Sequence, residues 1–173
     1  PGTEQEYKCD TLILSVGLIP ENQLLESAGI AIDPRTNGAV VDENLMTSIP
    51  GIFSAGNVLH VHDLVDFVSL EAEALARHAA DFAAGRPLPA CGLAVRCGAN
   101  IGHTVPQMVS GTQDFTLSLR VREQLRDCRI VVRQNGAEVA SRRMKKAIPA
   151  EMVQFKVSAA KLAPEGALEV TAE

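Results

Sequence analysis

Two histidines, His60 and His62, stand two positions apart between an apolar run and a helix-like stretch. If this segment is extended, both imidazoles lie on the same side of it. Such a pair could hold a metal ion or move a proton at a reacting group. The alternative that we favour is a loop histidine that is hydrogen-bonded, with Asp63 as a nearby partner. We therefore treat His60 and His62 as candidate catalytic residues and expect no metal site.

The cysteines form no pattern that indicates redox or zinc chemistry. Cys9, Cys91, Cys97 and Cys128 include no Cys-x-x-Cys pair, so neither a dithiol centre nor a zinc ribbon is encoded. The spacing of Cys91, Cys97 and His103 fits no zinc pattern that we know. We expect reduced structural thiols, as is usual in the cytoplasm.

A second group of candidate residues surrounds Gly56 and Asn57. A short apolar strand is predicted at 52–55, and a helix is predicted at 65–84. A strand, a small-residue turn and a helix N-terminus together can bind an anion or a dinucleotide. Gly56 would let a ligand approach the backbone, and Asn57 lies where open α/β sheets bind ligands. The same pattern also occurs as a turn without a ligand.

The elements that position these residues follow from the apolar pattern of residues 1–90. The run 9–17 is continuously apolar and ends at Gly17, which predicts a buried, parallel-type strand. Asp63 or Asp66 can cap the helix 65–84, and Gly85 ends it. Shorter elements are predicted as a helical turn at 23–28 and strands at 30–33, 39–42 and 52–55.

Charge divides the chain of 173 residues into two parts. Residues 1–90 hold 4 basic and 13 acidic side chains, whereas 91–173 hold 12 basic and 8 acidic ones. The shift falls near the Pro-rich stretch 85–89 and predicts two units, 1–88 and 89–173. Nine basic residues lie between Arg120 and Lys146, but few aromatic residues accompany them, so we expect no nucleic-acid partner. A solvated basic face, or one docked on an acidic partner, is the interpretation we favour.

The second unit is predicted to be all β. Asn135-Gly136 between two alternating runs indicates a hairpin with a type I′ turn. In 115–121, apolar side chains alternate with Thr, Ser and Arg, which predicts one buried and one solvated face. Short strands at this spacing suggest a small sandwich, of which the immunoglobulin-like fold is one form, or a barrel, without a catalytic constellation. The predicted strands are 93–96, 104–109, 115–121, 128–134, 137–144, 152–157 and 168–171.

Two motifs of the first unit, residues 14–22 and 47–57, follow each other in an order that resembles the FAD-dependent pyridine nucleotide-disulphide oxidoreductases, in their thioredoxin-reductase-like branch. Leu14-Ser-Val-Gly-Leu-Ile-Pro-Glu-Asn22 resembles the stretch that ends the NAD(P)-binding domain. Thr47-Ser-Ile-Pro-Gly-Ile-Phe-Ser-Ala-Gly-Asn57 resembles the second FAD-binding motif. The stretch 56–66 is closer still to a sub-branch linked to glycerol-3-phosphate dehydrogenase and amine or opine oxidase systems. The likeness covers about half of the chain.

Two departures from the family pattern matter. The family's motif ends in Gly-Asp, with the Asp on a ribityl hydroxyl of FAD, whereas position 57 is Asn, whose hydrogen bond is not charge-assisted. The family's Gly-x-Gly-x-x-Gly motif and its redox Cys-x-x-Cys are absent from the sequence. We therefore interpret the chain, which begins without Met, as an excised piece whose main phosphate-binding motifs lie in a missing N-terminal region.

The resemblance also implies roles for particular residues. Gly17, Gly56 and Asn57 become cofactor-binding candidates, together with the start of the predicted helix. In the family this helix directs its N-terminus at the flavin pyrimidine oxygen, which matches the backbone N–H groups of Asp66, Phe67 and Val68. A helix dipole there stabilises negative charge on reduced flavin. The alternative roles are a helix cap for Asp66 and core packing for the Phe67 side chain.

The fold class expected is an α/β piece, the end of NAD(P)- and FAD-binding Rossmann-like domains, followed by a small all-β sandwich-like domain. The expected function is part of an FAD-dependent, NAD(P)H-linked oxidoreductase that is inactive without the missing region. The expected partners are that region and a second copy or a redox subunit. The alternative is a non-enzymatic assembly module whose basic β domain docks a partner protein. No apolar run is long enough to span a membrane, and we expect a cytoplasmic location.

Overall fold

The chain is mixed α/β, with mostly sheet and few helices, in a computed structural model that describes residues 2–173. The helices are α1 (Gln23–Ser27) and α2 (Val65–Ala83), with short 3₁₀ helices at Gly56–Val58 and Ala159–Lys161. The strands are β1 (Leu93–Cys97), β2 (Ile101–Val105), β3 (Met108–Val109), β4 (Phe115–Val121), β5 (Leu125–Gln134), β6 (Ala137–Ala147), β7 (Val153–Val157) and β8 (Leu168–Ala172). All of these strands follow α2 in the chain.

The strands form two sheets that share a hydrophobic core. One sheet has the order β3-β1-β8-β5-β6, and the other has the order β2-β4-β7. Strand β8 is parallel to β1 and antiparallel to β5. Buried side chains of both sheets belong to one cluster, including Val95, Ile130 and Leu168 from the first sheet and Leu117 and Val157 from the second. The sandwich-like class itself stays a prediction.

The hairpin between β5 and β6 forms at the predicted place. Asn135 and Gly136 have φ values of 52° and 81°. A type I′ turn needs positive φ at both central residues, which Asn and Gly adopt at low cost. Gln134 pairs with Ala137 across the turn. The local prediction is therefore confirmed, and the turn sets the register of the longest strands.

Strand β4 matches its predicted range, but its second face is not solvated as expected. Ser118 is buried and accepts a hydrogen bond from Gln154 Nε2 at 3.0 Å. Arg120, on the same face, donates to the carbonyl of Val61 at 2.9 Å. The expectation failed in part: Val61 and Asp63 of the first half cover this face at Arg120, whereas Thr116 is exposed. The predicted strand 104–109 is also divided: β2 ends before Pro106, which lacks an N–H donor.

Helix α2 confirms the helix predicted at 65–84, apart from its last residue. Gly85 follows with a φ of 71°, in the left-handed region that favours glycine after a helix. The predicted caps are wrong, because the N-cap is Leu64 and no side chain caps the helix. The Asp63 carboxylate instead bonds to the Arg120 guanidinium and accepts the Met152 N–H at 2.5 Å. Asp63 therefore joins the two halves of the chain.

The strand predicted at 9–17 does not form. Residues 2–20 contain neither helix nor strand, and Leu12, Ile13 and Leu14 are each at least 71 % exposed. A buried parallel strand needs neighbouring strands and covering layers. The part of the chain that the structure describes supplies none next to this segment. The apolar run therefore stays extended and exposed.

The short strands predicted at 30–33, 39–42 and 52–55 are reduced to single bridges. Ile32 bridges to Ala39, and Met46 bridges to Phe53. These turns surround a second, smaller buried cluster. Its members are Ile30, Ala39, Val41, Leu45, Leu59 and, from β2, Val105.

Further hydrogen bonds join the two halves. The Gln107 side chain accepts the Val41 N–H at 2.9 Å and donates to Asp33 at 3.1 Å. Ser110 donates its N–H and its hydroxyl to the Glu43 carboxylate at 3.1 and 2.5 Å. The division at 88/89 stays a prediction, and the segments on either side of it are in direct contact.

Candidate functional site

The loop after the bridge at Phe53 lies against the first turns of α2. Gly56 has a φ of 72°, and a Cβ at this position would lie 3.4 Å from Val68 Cγ1. The Gly56 N–H donates to Glu71 Oε2 at 2.6 Å. A glycine is favoured here because of the positive φ and the close approach to the helix. The loop 56–62 is therefore fixed to α2 through Glu71.

Both candidate histidines also lie close to the Glu71 carboxylate. His60 is fully buried, and its Nε2 lies 2.8 Å from Glu71 Oε1. His62 Nε2 lies 3.5 Å from Glu71 Oε2, which is close enough for an ion pair but lacks hydrogen-bond alignment. The two rings are in contact, with centroids 4.4 Å apart. Two imidazoles and one carboxylate therefore form a buried cluster.

The electrostatics of this cluster keep Glu71 ionised. Burial raises the pKa of its carboxyl group, but the hydrogen bond from His60, the close approach of His62, the His60 charge and the Gly56 N–H outweigh burial. Together they lower the pKa of Glu71 to about 2. An ionised carboxylate only accepts hydrogen bonds, so His60 Nε2 carries the proton when it bonds to Glu71.

His103 of β2 brings a third imidazole to the cluster from the second half of the chain. Its ring centroid is 6.1 Å from that of His60. Burial lowers the pKa of His103 to about 4, with the positive charges of His60 and Arg120 adding to the effect. The His103 ring is therefore neutral at physiological pH. Its Nε2 is buried without a partner among residues 2–173.

Asn57 is held by the same loop. Its Oδ1 accepts the His62 N–H at 3.0 Å. The residue is exposed, and its Nδ2 has no hydrogen bond to any described residue. The carboxamide is therefore fixed on one side and open to a ligand on the other.

The first turn of α2 is exposed and has free donors. Phe67 donates its N–H to Leu64 O at 3.2 Å, within the turn itself. Asp66 is exposed, and its N–H has no acceptor within the described part of the chain. Phe67 and Val68 are half-buried. An uncapped N-terminus with a free N–H attracts an acceptor atom or a negative charge.

A cavity of about 370 Å³ lies between α2 and the β strands. Phe67, Glu71 and His78 of α2 line one side. Asp42 and Glu43 line it as well, so the walls carry an excess of carboxylates. One edge of the histidine cluster is therefore in contact with this cavity through Glu71.

The structure thus brings Gly56, Asn57, His60 and His62 into one loop against α2. Gly17 lies in the exposed segment 2–20, which has no side-chain hydrogen bond to the other described residues. The expectation of Asp63 as the histidine partner is wrong, and the partner is Glu71.

The described cysteines are all free thiols. Cys97 Sγ lies 3.6 Å from Thr104 Oγ1. Burial, together with the charges of Asp42 and Glu43, raises the pKa of the Cys91 thiol to about 12. The expected reduced state therefore agrees with the geometry, and Cys91 is a poor nucleophile.

We expect Cys91 to resist alkylation. At pH 8 a pKa of about 12 leaves roughly one thiol in 10,000 ionised, and the thiolate is the reactive form. Iodoacetamide followed by mass spectrometry should therefore modify exposed Cys9 well before Cys91 in the native protein. Urea-denatured protein is the control, in which both should react at similar rates. Equal rates in the native protein would contradict this assignment.

No helix among residues 2–173 is long and apolar enough to cross a membrane.

Comparison with known proteins gives a match for the first half of the chain. Residues 1–81 match the family model of pyridine nucleotide-disulphide oxidoreductases. The chain is 39 % identical over 59 residues to mitochondrial dihydrolipoyl dehydrogenase of Caenorhabditis elegans, which covers 34 % of this chain and 12 % of that protein. It is 41 % identical over 59 residues to NADH oxidase of Enterococcus faecalis, covering 34 % and 13 %. It is 33 % identical over 63 residues to ferredoxin–NADP reductase 1 of Lysinibacillus sphaericus, covering 36 % and 18 %.

Residues 1–81 are therefore similar to the pyridine nucleotide-disulphide oxidoreductases, which supports an oxidoreductase of the flavoprotein type. The matched segments are between 12 % and 18 % of the length of these relatives, so the chain spans only a small part of each. No solved structure matches the chain.

Proposed function

We propose that this chain is part of an FAD-dependent, NAD(P)H-linked oxidoreductase, of the sub-branch linked to glycerol-3-phosphate dehydrogenase and amine or opine oxidase systems. The proposal rests on the combination of Gly56, Asn57 and the uncapped start of α2 within the segment that matches the family model. This segment would supply the second FAD-contacting motif. The main phosphate-binding motifs would come from a further region of the protein.

The residues present fit a flavin at three points. The buried Gly56 lets the chain turn closely against α2, and Asn57 keeps a free amide group beside it. The Asp66 N–H is an unused donor at the helix start. A bound FAD would supply hydride and electron transfer, and the protein would position it.

Each of these groups has a distinct task in the proposal. Asn57, fixed by the His62 N–H, holds a ribityl hydroxyl in one orientation. The α2 N-terminus, with the N–H groups near Asp66, Phe67 and Val68, stabilises negative charge on a neighbouring acceptor. The partly buried Phe67 side chain shields that side from water. His60 and His62 stay candidate proton-transfer groups, and Gly17 stays a candidate NAD(P) contact.

The natural protein that contains this sequence is expected to show a flavin absorption spectrum, and NADH or NADPH should bleach it. Asn57→Leu removes the hydrogen-bonding amide and should weaken FAD binding about fivefold, since one neutral hydrogen bond contributes about 1 kcal/mol.

Ser69→Ala is the matched control, because the Ser69 hydroxyl bonds only within α2. It should leave FAD affinity unchanged. A natural protein that holds no flavin, even after addition of FAD, would contradict the proposed function.

The second candidate function is docking of a partner protein through the basic strand β6. This edge strand exposes Arg142, Arg143, Lys145 and Lys146. Such an edge favours an acidic partner and discourages strand pairing with another sheet. A redox subunit or a second copy of the chain are the partners we propose, in the cytoplasm, where free thiols persist.

A further inference from the structure

The buried cluster of His60, His62 and Glu71 contains the side-chain types that bind metal ions. His60, His62 and Glu71 each present one ligand-type atom, and these atoms all lie within 4.8 Å of one another. The side chains of His60 and His62 are at most 1 % exposed, and that of Glu71 is 12 % exposed. A buried group of two imidazoles and one carboxylate is a typical ligand set for a transition metal.

The hydrogen bonds of this cluster are incomplete. Within residues 2–173, both ring nitrogens of His62 and Nδ1 of His60 are buried without a partner. A buried imidazole normally has its nitrogens satisfied, because an unmet polar group costs about 1–3 kcal/mol. Glu71 cannot satisfy His62, since the 3.5 Å approach lacks alignment and both carboxylate oxygens already have closer partners. An unseen ligand that accepts the lone pair of His62 Nε2 would remove the part of this deficit that faces Glu71.

We propose that His60, His62 and Glu71 bind a divalent transition-metal ion, with Zn²⁺ as the representative. Neutral imidazole nitrogens are soft enough for Zn²⁺, Fe²⁺ or Co²⁺, whereas Mg²⁺ and Ca²⁺ prefer a set of oxygens. One carboxylate charge leaves the loaded site with a net charge of +1. A water molecule would complete a four-coordinate site.

The distances require little rearrangement for such an ion. Ligand atoms at about 2.1 Å from a tetrahedral zinc ion lie about 3.4 Å from one another. The distances from His60 Nε2 to Glu71 Oε1, 2.8 Å, and from His62 Nε2 to Glu71 Oε2, 3.5 Å, lie on either side of this value, and the ligand atoms all lie within 4.8 Å of one another. The ion would replace the proton now shared between His60 Nε2 and Glu71.

The cavity beside α2 offers a path for the ion. Glu71 forms part of its wall, and Asp42 and Glu43 also line it. A concentration of carboxylates attracts cations electrostatically. The alternative is that a proton, and not a metal ion, lies between the histidines and Glu71. This alternative predicts that the protein has no metal affinity.

The decisive experiment is a Zn²⁺ titration of the full natural protein after treatment with a chelator. One site of submicromolar affinity is expected. His62→Gln and Glu71→Gln each remove a direct ligand and should weaken binding by at least about 100-fold, since even indirect partners cost 10–100-fold. Glu73→Gln is the matched control for Glu71→Gln, because Glu73 is exposed on the same helix and does not line the cavity.

X-ray absorption at the zinc edge keeps the proposal testable should a variant fail to fold. Two imidazoles with oxygen ligands and no sulfur would support the site. Sulfur ligation would assign the zinc to the free thiols and would overturn the proposal. An unchanged Zn²⁺ affinity of the His62→Gln variant would also overturn it. Both measurements are independent of the flavin content. A failure of the metal proposal would therefore not contradict the proposed flavin function, which is tested separately.

Discussion

Replacing Gly38 with alanine is expected to lower the free energy of unfolding by more than about 3 kcal/mol, among the largest effects for a single methyl group. A Cβ at position 38 would lie 1.8 Å from Leu59 O and 2.5 Å from Leu59 C. These are backbone atoms, so no side-chain rotation can relieve the overlap. The loop that holds His60 would have to move as a unit.

That loop has little freedom to move. The Leu59 side chain is fully buried in the smaller core cluster. Asn22 Nδ2 donates to Asn37 O at 2.6 Å and to Val58 O at 2.9 Å, which ties the two segments together on either side of the contact. Displacement would therefore break buried hydrogen bonds in addition to packing.

Urea unfolding of Gly38→Ala beside Gly92→Ala measures this effect. Gly92 has no heavy atom within 4 Å of its Cβ position, so its variant should remain within about 0.5 kcal/mol of the parent. Equal midpoints for the two variants would show that the loop does not pack against Gly38 in solution.

Removal of the Asp63 carboxylate is the second change with a large expected effect. Asp63→Ala should cost about 3 kcal/mol, because it leaves a largely buried guanidinium without its counter-ion. The side chains of Arg120 and Asp63 are 15 % and 24 % exposed. The Met152 N–H loses its acceptor in the same variant.

A double-mutant cycle with Arg120→Met separates the ion pair from the other losses. The double variant is expected to be less destabilised than the sum of the single variants, by about 1–3 kcal/mol. The exposed pair Asp81–Arg86, at 40 % and 60 % exposure, is the control and should give less than about 1 kcal/mol. Strict additivity at Asp63 and Arg120 would mean that the two halves are not held by this pair.

Local patterns in the sequence were sufficient for the elements that depend on near neighbours. The limits of α2, the Asn135-Gly136 turn and strand β4 follow from apolar periodicity, a terminating glycine and turn chemistry, which act over a few residues. The segment 9–17 also has an apolar pattern that ends at a glycine. A strand needs neighbouring strands as well, and the pattern does not indicate whether these are present. Its apolar pattern is therefore that of a buried strand, but the described residues provide no neighbouring strand for it.

The candidate site could be predicted only in part, for a similar reason. His60, His62, Gly56 and Asn57 are adjacent in sequence and were recognised together. Glu71 and His103 join them through the packing of α2 and β2, across separations of 11 and 43 residues from His60. Asp63 was expected at the helix start because its partner, Arg120, lies 57 residues away. Contacts between distant segments leave no trace in local spacing.

The position of β8 has a consequence for synthesis of the protein. This strand, the last of the described elements, lies in the interior of its sheet, between β1 and β5. During translation, β1 and β5 leave the ribosome with no strand between them, at elongation rates of about 5–20 residues per second. The sheet can close only after residue 172 has emerged. The edge of β5 that faces β8 therefore stays unpaired for roughly the time needed to make the 38 residues after Gln134, and that of β1 for the 75 residues after Cys97. A chaperone that binds nascent chains would therefore contact this protein while β1 and β5 are not yet joined by β8.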